Sequence, residues 1–405
     1  MTYPTSRHPN HAITKTKVRR QRGQRRFTPL PHEDSSGIAE SSSDKLLPRP
    51  YGRVPEGPVP LALIYPCRMS ESVELQIAGH TVTVTSPDKV FFQARGDTKL
   101  NLIEYYLSVG DAVMRQMYDR PVLLQRFPNG AHGSNFFQKR IPEGAPEWLH
   151  TTTVLTPNGT PSRALVIDDI AHLIWAVNLG CLGFHSWPVR AADQDHCDEL
   201  RIDLDPGPGT TYAMAVETAH ETKRLLDDLG IVSFIKTSGN RGLHVYVRLK
   251  PTHDSIAVRS AAVALARELE RRRPDLITAA WWKEERGERI FIDFNQNAPH
   301  KTVFAPWSVR ALDHAPVSFP FPWELLDTLR PHDMTIATVP AWVDTHGDAW
   351  EEMNDAPQSM QPLMDMVIAD QAAGLLDAPW PPVYPKMPGE PPRVAPSRAK
   401  KPKAG

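Results

Sequence analysis

Three aspartates carry the most specific chemistry in this chain. Asp203 and Asp205 are spaced i and i+2 in RIDLDPGPG, and Asp293 lies in ERIFIDFNQNAPHKTVFAPWSVRA. In an extended strand alternate side chains share a face, so Asp203 and Asp205 converge while Ile202 and Leu204 point into a core. Two adjacent anions need a proton or a cation, and hard oxygen ligands suit Mg²⁺ or Mn²⁺. The Pro-Gly-Pro-Gly run that follows ends the strand and leaves the acids open to a ligand. Asp-x-Asp alone is weak evidence. It occurs in phosphatases and sugar-nucleotide transferases, and as ordinary turn decoration. A third acid changes the arithmetic: two cations roughly 3.5–4 Å apart, as phosphoryl or nucleotidyl transfer uses them, need about three carboxylates. The ordinary alternative for Asp293 is a salt bridge to Arg289 or Lys301.

The elements that must position these groups are legible around them. The strand 199–205 leads into a helix over 212–229 closed by Gly230, then to strands 231–237 and 243–249 joined by the turn TSGNRG. Ser238, Arg241 and His244 sit on or beside that turn. A hydroxyl, glycine-flanked backbone amides, a guanidinium and an imidazole make a cradle for a triphosphate. A polar hairpin without a ligand is the plainer alternative. Asp293 is expected within a strand 289–295, with a further strand at 301–306 and a helix at 256–272. A helix 168–179 feeds a strand 182–187, which carries His185.

These segments together resemble the polymerase domain of bacterial ligase D, a branch of the archaeo-eukaryotic primase superfamily used in non-homologous end joining. DLDPG, KTSGNRGLHVYV and IDFNQNAPHKTVFAPWSVRA occur in the family's order and spacing, and the likeness runs from about Val73 to Leu329. The resemblance implies an α/β (α+β) primase fold, an RNA-recognition-like catalytic sheet packed on an N-terminal α/β subdomain. It implies that Asp203, Asp205 and Asp293 ligate two divalent ions, Mn²⁺ or Mg²⁺. His185, Ser238, Arg241, His244, Arg286, Gln296 and Arg310 then fall at positions that contact the incoming nucleotide. Arg241 stands where the family usually carries Lys, keeping the charge with a different geometry. Lys89 and Lys99 match two lysines that hold a 5′-phosphate. Phe136 and Phe137 match an aromatic pair that packs on template bases, with Arg126 and Lys139 beside them. The implied activity is metal-dependent nucleotidyl transfer to primer 3′ ends at gaps or breaks, from rNTPs in preference to dNTPs. A primer-synthesising primase and a non-catalytic end-bridging module are the alternatives. The implied partners are 5′-phosphorylated DNA, a separate ligase and Ku.

The 405 residues carry a net charge of −1, so DNA binding must rest on a local basic groove. Three cysteines in no paired spacing suit a reducing compartment, and the expected location is cytoplasmic, at the nucleoid. Residues 1–60, with eight Lys or Arg and no acid in the first 26, are expected to form a disordered tail. The polymerase domain is expected over 73–340, with its catalytic core at about 165–312. A helical segment over 341–378, with a helix at 359–376, and a Pro- and Lys-rich tail over 379–405 follow. Neither a Lys-x-Asp-Gly ligase motif nor a His-rich phosphoesterase domain is found in the sequence, which suggests a stand-alone polymerase.

Overall fold

The Asp-x-Asp strand, Glu199–Pro206, lies inside a six-stranded sheet between Leu243–Arg248 and Ile290–Ile292, antiparallel to both. The computed structural model describes residues 72–156, 159–381 and 384. The expected N-terminal tail and most of the expected C-terminal one lie outside them.

In chain order the catalytic sheet reads strand, helix Tyr212–Asp228, strands Phe234–Thr237 and Leu243–Arg248, helix Ser255–Arg272, strand Ile290–Ile292. In space these four strands run in the order fourth, first, third, second. This is the split β-α-β of RNA-recognition folds. The hairpin expected around TSGNRG forms, although its first strand begins at Phe234 rather than 231. Thr211 and Asp254 cap the two helices by accepting from Met214 and Ala257 amides.

A second, wholly antiparallel sheet is built from Arg120–Arg126, Phe136–Gln138, Thr151–Leu155, Pro161–Ile167, Cys181–Ser186 and Val303–Phe304. The helix Ile170–Asn178, capped by Asp169, buries every residue from Ala171 to Val177 and delivers the chain into the strand bearing His185. The expected strand at 301–306 therefore shrinks to two residues and joins this second sheet, not the catalytic one.

Buried ions tie the sheets together. Arg120 of the second sheet reaches Asp198 (2.7 Å) and Glu199 (2.6 Å), which also bind Arg248 and Arg201. Arg201 donates onward to the carbonyls of Ser186 and Trp187.

The last helix, Gln361–Ala372, buries Leu363 and Val367 and packs on Ser255–Arg272. Packing then continues beyond 378, where an extended tail was expected. Arg259 donates to the Ala378 and Pro379 carbonyls and lies 3.8 Å from the Trp380 ring centroid, while Tyr384 reaches the Pro299 carbonyl. The aromatic body of Trp380 supplies apolar area that proline counting does not reveal.

Candidate active site

Ile202 and Leu204 are buried, and Asp203 and Asp205 emerge together from the opposite face of their strand. Asp293 joins them differently from the sequence expectation. Its strand stops at Ile292, and Asp293 caps the short 3₁₀ turn Phe294–Asn297, accepting from the Asn295 amide. Its own amide donates to the Asp203 carbonyl at 2.9 Å, which brings the third acid beside the first. Arg289 turns away to Glu270 and nearby carbonyls; Lys301 is the closer counter-charge, and Gln296 donates to Asp293 Oδ2 at 2.8 Å.

The electrostatics identify these acids as under-compensated. Burial, then the charges of Asp293 and Asp205, push the Asp203 carboxyl up to about 8, against the pull of Lys236 and Arg310. Burial also raises Asp205 and Asp293, although Arg286 draws both back toward the charged form. Arg286 itself stacks 3.5 Å from the Phe291 ring centroid and donates to the Ala280 and Trp281 carbonyls.

Asp203, Asp205, Ser238, Arg241, His244 and Arg310 line one cavity of about 170 Å³. The turn is shaped for it. Ser238 Oγ accepts from the Asn240 and Gly242 amides, and Gly239 adopts φ +73°. A Cβ at Gly242 would stand 2.7 Å from the Leu204 carbonyl oxygen, so only glycine lets the turn approach the acidic strand. Arg241 is exposed at the tip, and Arg310 donates to the Ser238 carbonyl.

His244 lies between strands, paired in register with Asp203 on one side and Lys236 on the other. Its Nε2 stands 3.4 Å from Asp203 Oδ1, while buried Nδ1 has no hydrogen-bond partner among the described residues. Burial and the charges of Lys236, Arg310 and Arg201 hold it neutral. Lys236, fully buried and donating to Ser318 Oγ, was missed in the sequence. It precedes the TSGNRG turn, and its alternation with Ile235 marks it as inward-facing only once the register is known.

His185 reaches the site from the second sheet. Burial, then Arg310 and Lys236, lower it to about 3, so the ring is neutral. Phe136 and Phe137 sit on a short edge strand, and both are exposed, contrary to the usual one-in, one-out alternation. Arg126 stacks over Phe136 at 5.2 Å and donates to Leu179, and Lys139 is exposed nearby.

The two lysines are placed apart from the cavity. Lys89 donates to the Pro128 carbonyl at 2.6 Å. Lys99 is buried and donates to the Thr85 carbonyl and to both oxygens of Asn178, while Lys89 also reaches Asn129 Oδ1, so both ammonium groups of the expected clamp already serve acceptors of their own chain. A separate group, Asp119, His150 and Asp168, gathers its ligand atoms within 4.8 Å of one another at the end of the second sheet. His150 Nδ1 already pairs with Asp168 at 2.7 Å, and this group is distinct from the three acids of the site.

The two-sheet α/β architecture is consistent with a fold of archaeo-eukaryotic primase type. The chain belongs to the LigD primase-polymerase domain family, whose model matches residues 98–350. It is 34% identical over 282 residues to the multifunctional non-homologous end joining protein LigD of Mycolicibacterium smegmatis, covering 68% of this chain and 36% of that protein. It is 32% identical over 283 residues to the bifunctional LigD of Bacillus subtilis, covering 68% of this chain and 45% of that one. The chain thus matches less than half the length of these relatives. The polymerase domain of Mycobacterium tuberculosis ligase D in complex with DNA superposes with a TM-score of 0.65 at 32% identity, covering 68% of this chain and 99% of that one. Among the described residues no helix is long and apolar enough to cross a membrane.

Proposed function

We propose that this chain is a divalent-metal-dependent nucleotidyltransferase that extends primer 3′ ends on a template at DNA gaps or breaks. The observation that carries this reading is the placing of Asp203 and Asp205 in one cavity with the Ser238–Arg241 turn, with Asp293 bonded to the Asp203 backbone and its charge helping to raise Asp203 to about 8. A set of oxygen donors with that much unneutralised charge fits hard divalent ions, Mn²⁺ or Mg²⁺. Two such ions, when bound, supply charge neutralisation for attack of a primer hydroxyl on the α-phosphorus.

The chain's own groups do the rest. The Ser238 hydroxyl, whose oxygen accepts from the Asn240 and Gly242 amides, offers its proton to a phosphate oxygen, and Arg241 adds charge from the exposed tip. Arg310 is fixed by the Ser238 carbonyl and the Phe304 face, so it presents a preorganised cation to the departing pyrophosphate. Neutral His185 and His244 donate or accept without adding charge. The exposed Phe136 and Phe137 fit base stacking, worth roughly 1–3 kcal/mol per base and indifferent to sequence. Lys89, supported by Lys99, is the candidate contact to a terminal 5′-phosphate.

The relatives are named for non-homologous end joining, and the superposed domain was solved with DNA. These support placing the activity in end repair; a preference for rNTPs, with Ku and a DNA ligase as partners in a bacterial cytoplasm, completes the proposal. The test is extension of a labelled primer on a short gapped duplex, with and without the 5′-phosphate, using rNTPs or dNTPs and Mn²⁺ or Mg²⁺. Phosphate-stimulated extension that disappears in Asp203→Asn supports the reading. DNA binding without extension by the native protein favours an end-bridging module, and synthesis without a primer favours a primase.

A further inference from the structure

An unbroken series of ring contacts connects the exposed edge strand to the triphosphate turn. Phe137 meets the His185 ring edge-on, with centroids 5.3 Å apart and planes at 76°. His185 meets Phe304 in the same way at 5.2 Å and 83°. The Arg310 guanidinium lies 3.5 Å from the Phe304 centroid and donates to the Ser238 carbonyl at 2.9 Å. Phe304 is 3% exposed and lies in the two-residue strand paired with the His185 strand.

The backbone makes room for this packing at two points. A Cβ on Gly183 would stand 2.7 Å from a Phe304 ring carbon, and one on Gly239 would stand 2.9 Å from the Arg310 stem. Gln125, in register with Phe137, reaches His185 Nε2 at 3.4 Å and limits how far that ring can turn. Close-packed rings transmit a displacement because the interior has no slack to absorb it.

We propose that Phe304 is a positioning residue that couples the two ends of this series: a template base stacked on Phe137 sets His185, Phe304 and Arg310, and thereby tightens the hold of the Ser238 turn on the incoming triphosphate. The protein is then selective for a nucleotide that arrives after its template. Coupling is reciprocal, so a bound nucleotide strengthens engagement of the template by the same factor. The inference rests on the polymerase reading above and adds a residue and an order of preference to it.

The experiment measures binding of a fluorescently labelled ribonucleoside triphosphate with Mn²⁺, with and without a gapped duplex. The duplex has a complementary template base and a primer that lacks the 3′-hydroxyl. The ratio of the two dissociation constants is the readout. In the native protein the duplex should tighten nucleotide binding at least about fivefold, the lower end of ordinary coupling. Phe304→Leu should bring the ratio close to one, and Phe304→Tyr, which keeps the ring, should restore it. A residue with a merely structural role would weaken nucleotide binding equally in both conditions, so a native ratio in Phe304→Leu overturns the coupling. If Phe304→Leu does not fold, Phe304→Met fills the same space without a ring and is read identically. A native ratio of one with primer extension intact overturns the coupling alone. Absence of both nucleotide binding and extension overturns the polymerase reading and the coupling with it.

Discussion

A single strand segment carries two kinds of acid within a few residues. At its start, Asp198 and Glu199 face four guanidinium groups, Arg120, Arg190, Arg201 and Arg248. Burial alone would raise both carboxyls, yet these arginines hold them below the ordinary range. At its end, Asp203 and Asp205, with Asp293 alongside, are raised. The sequence shows acids at both ends; the difference is whether rigid counter-charges of the same chain saturate them. The saturated end joins the sheets, and the under-compensated end retains binding capacity for a cation from outside.

The largest effect should come from the saturated end. Arg120→Ala removes one of the two arginines that two buried carboxylates share, a loss expected to cost about 3–5 kcal/mol of stability. Urea unfolding reads this directly. A cost below about 1 kcal/mol would show that the remaining arginines suffice and would remove the distinction drawn between the ends. The same variant should weaken catalysis through the geometry of the sheets, since Arg120 and His185 lie on neighbouring strands.

The opposite end should respond in the opposite sense. Asp203→Asn removes one of three mutually repelling acids, so unfolding midpoints should stay level or rise. Primer extension, however, should fall by more than the roughly 10–100-fold typical for outer-shell partners of a metal. Extension within tenfold of native would refute the ligand assignment, and a stability loss like that of Arg120→Ala would make Asp203 a structural ion instead.

Next in size is a pH effect. With the Asp203 carboxyl raised to about 8, a cation must displace a proton below that pH. Apparent Mn²⁺ affinity should therefore weaken about tenfold for each unit below 8 and level off above it. Calorimetric titration in two buffers of different ionisation heat should show about one proton released near pH 7. In metal-free protein the sign for stability is reversed. The raised carboxyl favours the fold fully below its unfolded value near 4, and that contribution disappears as pH rises through 8. Affinity that is flat from pH 6 to 8, with no proton release, contradicts the assignment.

Much of this contrast was legible in the residue types, because local patterns determine local structure. Alternation around Asp203 and Asp205, Gly230 after the helix that precedes it, and the glycines of TSGNRG all act within a few residues and predicted their elements closely. The departures arise from long-range pairing. Asp293 sits past a strand end because the 3₁₀ turn FNQN competes with extension, and its amide is satisfied by Asp203, 90 positions earlier. The Arg120–Asp198–Glu199 joint spans separate sheets and leaves no periodic mark. Lys236 reads as a surface lysine until the register sets it beside His244. Phe304 reads as an ordinary core residue until Gly183 and Arg310 are seen against it.

The smallest effect tests whether a counter-charge at the surface behaves like those inside. Lys89 keeps part of its ammonium exposed, so its contribution to gripping a terminal phosphate should resemble that of an exposed ion pair, about 0.2–1 kcal/mol. Lys89→Ala should accordingly reduce the preference for a 5′-phosphorylated gap over an unphosphorylated one by up to about fivefold, measured by anisotropy at low salt. The difference should shrink as added salt shortens the screening length. Lys99 provides the internal contrast. Burial and the neighbouring Lys89 lower its ammonium to about 8, and its protons already serve Thr85 and Asn178. Lys99→Met should therefore lose stability more than phosphate preference, because three partly buried oxygens lose their donor. If Lys99→Met instead abolishes the preference while Lys89→Ala retains it, the buried lysine swings out to the phosphate, and saturation by its own chain does not distinguish structural from binding charge at this site.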